Sequence, residues 1–188
     1  MAGLLTILIN RSPKLMNWYP PFLGAGIRVK SIARDFRQCE VVMNLRWWNR
    51  NYVGTQFGGS LYMMADPFFM MMMMHQLGPS YIVWDKAATI RFRNPGRGSV
   101  HCVFLLTDEE IASARRGADT HGKCDCTLHA SIVDDAGSCI AEVEKVLYIR
   151  RRKPGETYHS KHSSRSHLSE SQSSHSDEKG ETQRKQSM

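Results

Sequence analysis

Alternating apolar and polar residues predict strands over most of the chain. Apolar side chains recur at every second position in several segments, which is the period of a half-buried strand. The predicted strands cover Ile27–Ala33, Val41–Leu45, Ala88–Phe92, Val100–Leu106, Cys124–Ile132 and Cys139–Ile149. Most of the connections between them are short turns, so we expect the strands to form an antiparallel sheet.

One segment, Leu61–Leu77, does not alternate and is apolar on nearly every side. Its five consecutive methionines, Met70–Met74, are good helix formers, and Pro67 is expected to kink the helix. A helix without a polar face must be surrounded by protein. An antiparallel sheet curled round this single long helix buries both, which predicts an α+β fold.

The two ends of the chain differ from this body. Residues 1–18 predict a short helix and a connector that stops at Pro20-Pro21, and residues 19–153 form the predicted domain. Residues 154–188 are rich in serine and histidine and nearly free of apolar side chains, so we expect a disordered tail. Within the domain, Thr107–Glu110 reads as a capping box that opens a short helix ending near Gly117.

Composition narrows the class of protein. The 188 residues carry a net charge of +7, which is compatible with nucleic acid, an anionic surface or a small phosphorylated ligand as partner. No uncharged run is long enough to span a membrane, and residues 1–10 lack the features of a secretory signal. Five cysteines, an odd number, indicate reduced thiols and a cytoplasmic protein rather than a disulfide framework.

His121, Cys124, Cys126 and His129 have spacings that resemble a metal site. On a strand, however, Cys124 and Cys126 point to one face and His129 to the other. We therefore predict no metal site and interpret the two cysteines as small core residues.

The segment Asn51–Asp66 carries the candidate chemistry. Gly58 and Gly59 open the apolar helix, where the lack of a Cβ lets a ligand approach the backbone and the first amides are unpaired. Such amides would polarise a thioester carbonyl and stabilise its oxyanion. Asp66 is the only charge in the helix, so it must reach water, a partner charge or a substrate. It is either a general base or nucleophile, or a carboxylate that pairs with an arginine across an interface.

The pattern Asn51-x-x-Gly54-Thr55-x-Phe57-Gly58-Gly59, with Asp66 seven residues further on, resembles the active-site segment of hotdog-fold acyl-CoA thioesterases of the phenylacetate-pathway type. The Phe-Gly-Gly version, the segment Arg91–Gly98 and the helix that starts at Thr107 are more similar to the DUF4442 thioesterase-like branch. The resemblance covers residues 15–152 and implies a hotdog fold.

The resemblance also implies roles for individual residues. Asp66 would activate the attacking water, Asn51 would orient that water or the carboxylate, and the Gly58 amide, with Gly59, would hold the thioester oxygen. Thr55 and Phe57 belong to the same substrate-binding segment. Relatives are homodimers or homotetramers with the site at a subunit interface, so Asp66 and Gly58 would come from different chains.

This sequence departs from the family pattern at two positions. Phe57 replaces the usual histidine, which removes a side-chain contact and leaves the backbone donors intact. A Ser or Thr expected after the long helix has no clear match, and Asp85 is the nearest candidate.

Three arginines, Arg91, Arg93 and Arg97, lie on one predicted strand and the turn after it. They are either a grip on the phosphates of coenzyme A or an ordinary solvated strand face.

Together these features predict hydrolysis of acyl-CoA or acyl-carrier-protein thioesters, with no cofactor other than the coenzyme A of the substrate. The alternative is a protein that binds an acyl thioester or another lipid without turnover, which the Phe57 replacement favours. A nucleic-acid binder is disfavoured because no stacking aromatic residues interleave the basic runs.

Overall fold

The computed structural model describes residues 13–156, and the chain divides into two units, Met1–Arg152 and Lys153–Met188. A short 3-10 helix, Pro13–Trp18, precedes the first α-helix. The remaining elements, in chain order, are α1 (Pro20–Ala25), β1 (Ile27–Ile32), β2 (Gln38–Met43), α2 (Gly58–Met63), α3 (Phe68–Leu77), β3 (Tyr81–Phe92), β4 (Val100–Leu105), α4 (Asp108–His121), β5 (Lys123–Asp134) and β6 (Cys139–Arg151). The predictions for residues 1–12 and for the tail beyond residue 156 lie outside the described residues.

The six strands form one antiparallel sheet in the order β1-β2-β4-β5-β6-β3. The first two strands pair with each other, with Ile27 opposite Met43. At the other end, β3 pairs only with β6 among the described strands and forms an edge of the sheet. Its first three residues are buried, whereas most of the strand from Trp84 onward is exposed.

The apolar helical segment lies in the core, as its composition predicts. Phe68, Phe69 and Met71–Met73 of α3 are buried in one cluster with the inward-facing side chains of the strands. The ring of Phe68 stacks between those of Phe22 and Phe104, with ring centres 6.0 and 5.1 Å apart. The predicted α+β arrangement of an antiparallel sheet and a central helix is thus confirmed.

The central helix is interrupted at Pro67, which divides it into α2 and α3. Pro67 has no amide hydrogen to donate, and its carbonyl oxygen instead accepts the first bond of α3, from the Met71 amide at 3.0 Å. A tight turn between the helices carries Asp66. Because of this interruption, the Asp66 carboxylate lies at the corner between two helices and not along the side of one continuous helix.

Two other helices differ from the sequence prediction. The short 3-10 helix ends at Trp18, before Pro20-Pro21, but the same prolines begin α1, which the sequence pattern did not predict. Proline is well tolerated in the first helical turn, where its missing N–H would be unpaired anyway. The capping box at Thr107 is confirmed, but α4 continues through Gly117 to His121 and is capped by Gly122, whose φ of +74° is left-handed.

Within residues 13–156, none of the helices is both long and apolar enough to cross a membrane.

Candidate active site

Asn51 organises the loop that leads into α2. Its Oδ1 accepts the backbone amides of Val53 and Thr55 at 3.1 and 2.9 Å, and its Nδ2 donates to Thr55 Oγ1 at 2.8 Å and to the Gln56 carbonyl at 3.3 Å. Both ends of the Asn51 amide are therefore engaged by the loop. In this structure Asn51 shapes the approach to Gly58, and its predicted contact with a catalytic water stays a prediction.

Gln56, which the sequence reasoning did not single out, fixes this loop to the sheet. Its side chain is 3% exposed, and Nε2 donates to the carbonyls of Met43 and Gly98 at 3.2 and 2.9 Å. The Gln56 amide donates to the Gly96 carbonyl at 2.8 Å. These bonds hold the 94–98 turn against the start of α2. Gln56 lies in a loop segment without a periodic pattern of apolar residues, so the sequence did not indicate that it would be buried.

Each glycine of the pair at the start of α2 is covered by an aromatic ring. A Cβ at Gly58 would lie 2.9 Å from the Phe92 ring, and one at Gly59 would lie 2.5 Å from the Phe57 ring. The groups that lie against the glycine backbone in this structure are thus the Phe92 and Phe57 rings, and the predicted approach of a ligand stays a prediction. Both rings are more than half exposed, so neither is fixed by a surrounding core.

A cavity of about 400 Å³ opens beside Gly58. It gathers four residues predicted for the site: Asn51, Thr55, Gly58 and Arg93. The rest of the lining is Gln56, Leu61, Phe92, Asn94, Pro95 and Gly96. A second cavity of about 390 Å³ takes its aromatic lining from Phe57 and Trp48, with Ser60 and Met63 beside them.

Asp66 lies in a separate cluster of polar side chains. Its Oδ1 accepts from the Tyr62 hydroxyl at 2.8 Å and from Lys145 Nζ at 2.6 Å. Lys145 Nζ also lies 3.2 Å from Asp85 Oδ2 and 3.3 Å from the Tyr62 hydroxyl. The structure therefore brings two predicted site residues, Asp66 and Asp85, to one lysine. Asp66 pairs with this lysine of its own chain.

Burial differs sharply across this cluster. The Lys145 side chain is 1% exposed, whereas that of Asp66 is 46% exposed. Burial disfavours the Lys145 ammonium, but its hydrogen bond to Asp66 and the charges of Asp85 and Asp66 outweigh burial and raise its pKa above the usual range. Burial also raises the pKa of Asp85, an effect that Lys145 partly opposes. Burial and the hydrogen bond to Asp66 raise the pKa of the Tyr62 hydroxyl.

Lys145 was missed by the sequence reasoning although the sequence contains a sign of it. In β6 the buried positions alternate, and Val143, Lys145 and Leu147 all lie on the core-facing side. A lysine at a core-facing position of a strand is rarely buried without a partner charge. That partner is Asp66, 79 positions away in the sequence.

The three candidate arginines are not equivalent. Arg93 donates from Nη2 and Nε to Glu142 Oε2 at 2.6 and 3.1 Å, which raises the pKa of Arg93 and lowers that of Glu142. Arg91 lies opposite Glu142 in the β3–β6 register. Arg97 belongs to the exposed turn after the strand, and of the three only Arg93 lines the Gly58 cavity.

The cysteines of β5 occupy the positions that strand alternation predicts. Cys124 and Cys126 pack partly buried against the core, while His129 is exposed on the alternate set of positions. Across the described part of the chain, no group of three or more histidine, cysteine and acidic side chains is arranged to hold a metal ion.

Solved structures with the same fold place this architecture in a known class. One is a protein of unknown function from Pseudomonas aeruginosa described as a probable thioesterase, with 20% identity and a TM-score of 0.67 over 77% of this chain and 96% of that chain. A thioesterase from Haemophilus influenzae has 12% identity and a TM-score of 0.57 over 79% and 95%. A putative thioesterase from Shewanella oneidensis has 19% identity and a TM-score of 0.56 over 77% and 98%. The chain has the hotdog fold.

The sequence itself identifies the family. The model of DUF4442, a domain of unknown function, matches residues 11–149. The chain therefore belongs to the DUF4442 family, as its motifs suggest. A search of curated proteins found no significant match.

Proposed function

We propose that this protein hydrolyses the thioester bond of acyl-CoA or of an acyl-carrier protein. The observation that carries the proposal is Asp66: a half-exposed carboxylate, presented at the corner between α2 and α3 and held by a buried lysine. A carboxylate that is both accessible and oriented is suited to act as a general base. The glycine-rich start of α2 would supply the backbone donors.

The reaction requires one water and no cofactor beyond the coenzyme A of the substrate. Asp66 accepts a proton from the water, whose oxygen attacks the thioester carbonyl carbon. The Gly58 amide, with Gly59, stabilises the resulting oxyanion, and the carbon–sulfur bond breaks as the intermediate collapses. The departing thiolate takes up the proton, which leaves a carboxylic acid and a free thiol. Thr55 and Asn51 would shape the loop that carries the donors.

The proposed site needs two chains. Gly58 begins α2, and Asp66 lies eight residues further on, in the turn that follows the helix. At about 1.5 Å per helical residue, their separation along the chain direction is about 12 Å. One thioester group is too small to contact both within one protomer. The exposed edge strand β3 supports assembly of a homodimer or homotetramer, in which Gly58 of one protomer meets Asp66 of another.

The arginines provide a proposed site for the phosphates of coenzyme A. Arg93 reaches the Gly58 cavity, and Arg91 and Arg97 extend the positive charge along the same strand and turn. The Arg93–Glu142 ion pair is half exposed, so a phosphate of coenzyme A would replace Glu142 as the partner of the Arg93 guanidinium. We place the reaction in the cytoplasm, which five unpaired cysteines support.

A second candidate function is binding of an acyl thioester without turnover. The specific observation is that Phe57 replaces the family's histidine and lies against Gly59, while Phe92 lies against Gly58. Both rings would have to move aside before a thioester carbonyl reached these backbone amides.

Release of free thiol from acyl-CoA substrates of several chain lengths tests the two functions. We expect hydrolysis by the wild type and a loss of about 100-fold or more in Asp66→Asn, which removes the base but keeps the shape of the side chain. Asp108→Asn, in an exposed ion pair with Arg37, is the matched control and should retain activity. Equal activity of wild type and Asp66→Asn would contradict the mechanism. A thermal shift with acyl-CoA but no thiol release would favour the binding function.

A further inference from the structure

We infer that Lys145 is a positioning residue that holds the Asp66 carboxylate by Oδ1 and leaves Oδ2 directed to the substrate. The inference rests on the proposed function and adds a residue to its machinery. It starts from the contacts of Asp66, because both of its described side-chain hydrogen bonds end on Oδ1. One carboxylate oxygen is thus fixed by two donors, while the side chain stays 46% exposed.

The Lys145 ammonium is itself fully engaged. An ammonium group has three hydrogens, and the structure provides three acceptors: Asp66 Oδ1, Asp85 Oδ2 and the Tyr62 hydroxyl, at 2.6, 3.2 and 3.3 Å. The same ammonium lies 5.4 Å from the centre of the Tyr62 ring. A side chain held by three residues and only 1% exposed is a rigid support for Asp66.

The fold contributes an irregularity that completes the cluster. The β3–β6 register shifts at Lys86, so that Asp85 lies opposite Leu147 while Ala88 lies opposite Lys145. Without an inserted residue, positions 85 and 88 would face opposite sides of the sheet. The bulge turns Asp85 to the side where Lys145 lies, a common use of bulges near active sites. Asp85 thereby anchors Lys145 from the edge strand.

This arrangement lets the Asp66 carboxylate be both accessible and fixed in position. Asp66 must be accessible in order to meet a substrate, and accessible side chains are mobile. Lys145, buried beneath it on β6, restrains it from the protected side. Removal of Lys145 should therefore impair the chemical step more than substrate binding, because the predicted contacts with coenzyme A come from other residues.

The test compares full-length wild type with Lys145→Met, Asp66→Asn and the double variant. Lys145→Met should lower kcat about 10- to 100-fold, the effect expected of a misplaced catalytic group, while KM changes by less than about threefold. The double variant should be no slower than Asp66→Asn alone, because Lys145 acts only through Asp66. Lys30→Met, which removes a lysine from an exposed ion pair with Glu40, should leave kcat unaltered.

Two kinetic outcomes would overturn the inference. One is retention of wild-type kcat by Lys145→Met. The other is a double variant whose loss equals the product of the two single losses, since a general structural role adds to the loss of Asp66. If the wild type released no thiol at all, the proposed function would fail instead.

The contact is also measurable without activity or any Lys145 variant. Nitrogen-15 NMR of the Lys145 ammonium should give a lower pKa in Asp66→Asn than in the wild type, because the hydrogen bond to a charged partner is lost. An unchanged pKa of Lys145 would show that the two groups are not paired in solution and would overturn the inference. This readout distinguishes its failure from failure of the proposed function.

Discussion

Asp85 carries the least favourable charge in the Lys145 cluster. Burial raises its pKa, and the nearby Asp66 adds to that shift, while Lys145 opposes it. The folded chain therefore binds the Asp85 proton more tightly than the unfolded chain does. Ionised Asp85 costs stability at neutral pH, and this cost disappears as the pH falls through the raised pKa.

Asp85→Asn should accordingly stabilise the protein at pH 7, since asparagine keeps an acceptor for Lys145 without the buried charge. The advantage over wild type should shrink as the pH falls through the raised pKa of Asp85 and level off below about pH 3, where Asp85 is protonated in both the folded and the unfolded state. Urea unfolding at several pH values measures this difference. Asp125→Asn, in an exposed ion pair with Lys86, is the control and should change stability by less than about 1 kcal/mol. A destabilised Asp85→Asn at pH 7 would contradict the argument.

Helix α4 shows that a glycine in a helical segment can either end the helix or allow a close contact with a neighbouring element. Its start was predictable, because the Thr107–Glu110 capping box is a local pattern, and both of its reciprocal bonds are present. The end of α4 was not predictable. Gly117 resembles the glycine that terminates a helix, but here it lies inside the helix and packs against Cys124 of β5. A Cβ at Gly117 would lie 2.9 Å from Cys124 Cβ, which no rotation of either side chain relieves.

Gly117→Ala should therefore destabilise the fold although alanine favours helices. Overpacking costs about 1–3 kcal/mol, against a propensity gain of about 1 kcal/mol, so a net loss of roughly 1 kcal/mol is expected. Ser113→Ala, at an exposed position of the same helix, should be neutral or slightly stabilising. Thermal or urea unfolding distinguishes the two, and a Gly117→Ala variant as stable as Ser113→Ala would refute the close contact.

In the folded chain as a whole, the edge of the sheet at β3 is a candidate contact surface. This strand is 12 residues long, and from Trp84 to Phe92 nearly all of it is exposed. A long exposed edge is prone to pair with another strand unless charges or prolines protect it. We expect β3 to be the contact between protomers and the element that brings Asp66 and Gly58 of two chains together.

Ala87→Lys tests this assembly, because two lysines facing each other across a symmetric contact repel. We expect the variant to shift towards monomer in sedimentation velocity and to lose thiol release in proportion. Val103→Lys, on the exposed face of the interior strand β4, is the control and should retain the wild-type mass. A monomeric wild type with full hydrolytic activity would contradict the two-chain site.

The sequence alone determined the features that depend on neighbouring residues. Strand alternation follows from a period of two residues, the capping box from a four-residue motif and the buried helix from an uninterrupted apolar run, all of which are local in the sequence. The same holds for Asp66, which stands out as the only charge in an apolar segment. Motif spacing added the family and, through it, the hotdog fold.

Only the tertiary structure decided which side chains meet across the sequence. Lys145 pairs with Asp66 over 79 positions, and Phe92 covers Gly58 from the end of a different element. The bulge at Lys86 that aims Asp85 leaves no local pattern either, since it is defined by the register with β6. Such contacts depend on how the helices and strands pack and on the register of the strands. Neither can be read from a short segment of the sequence.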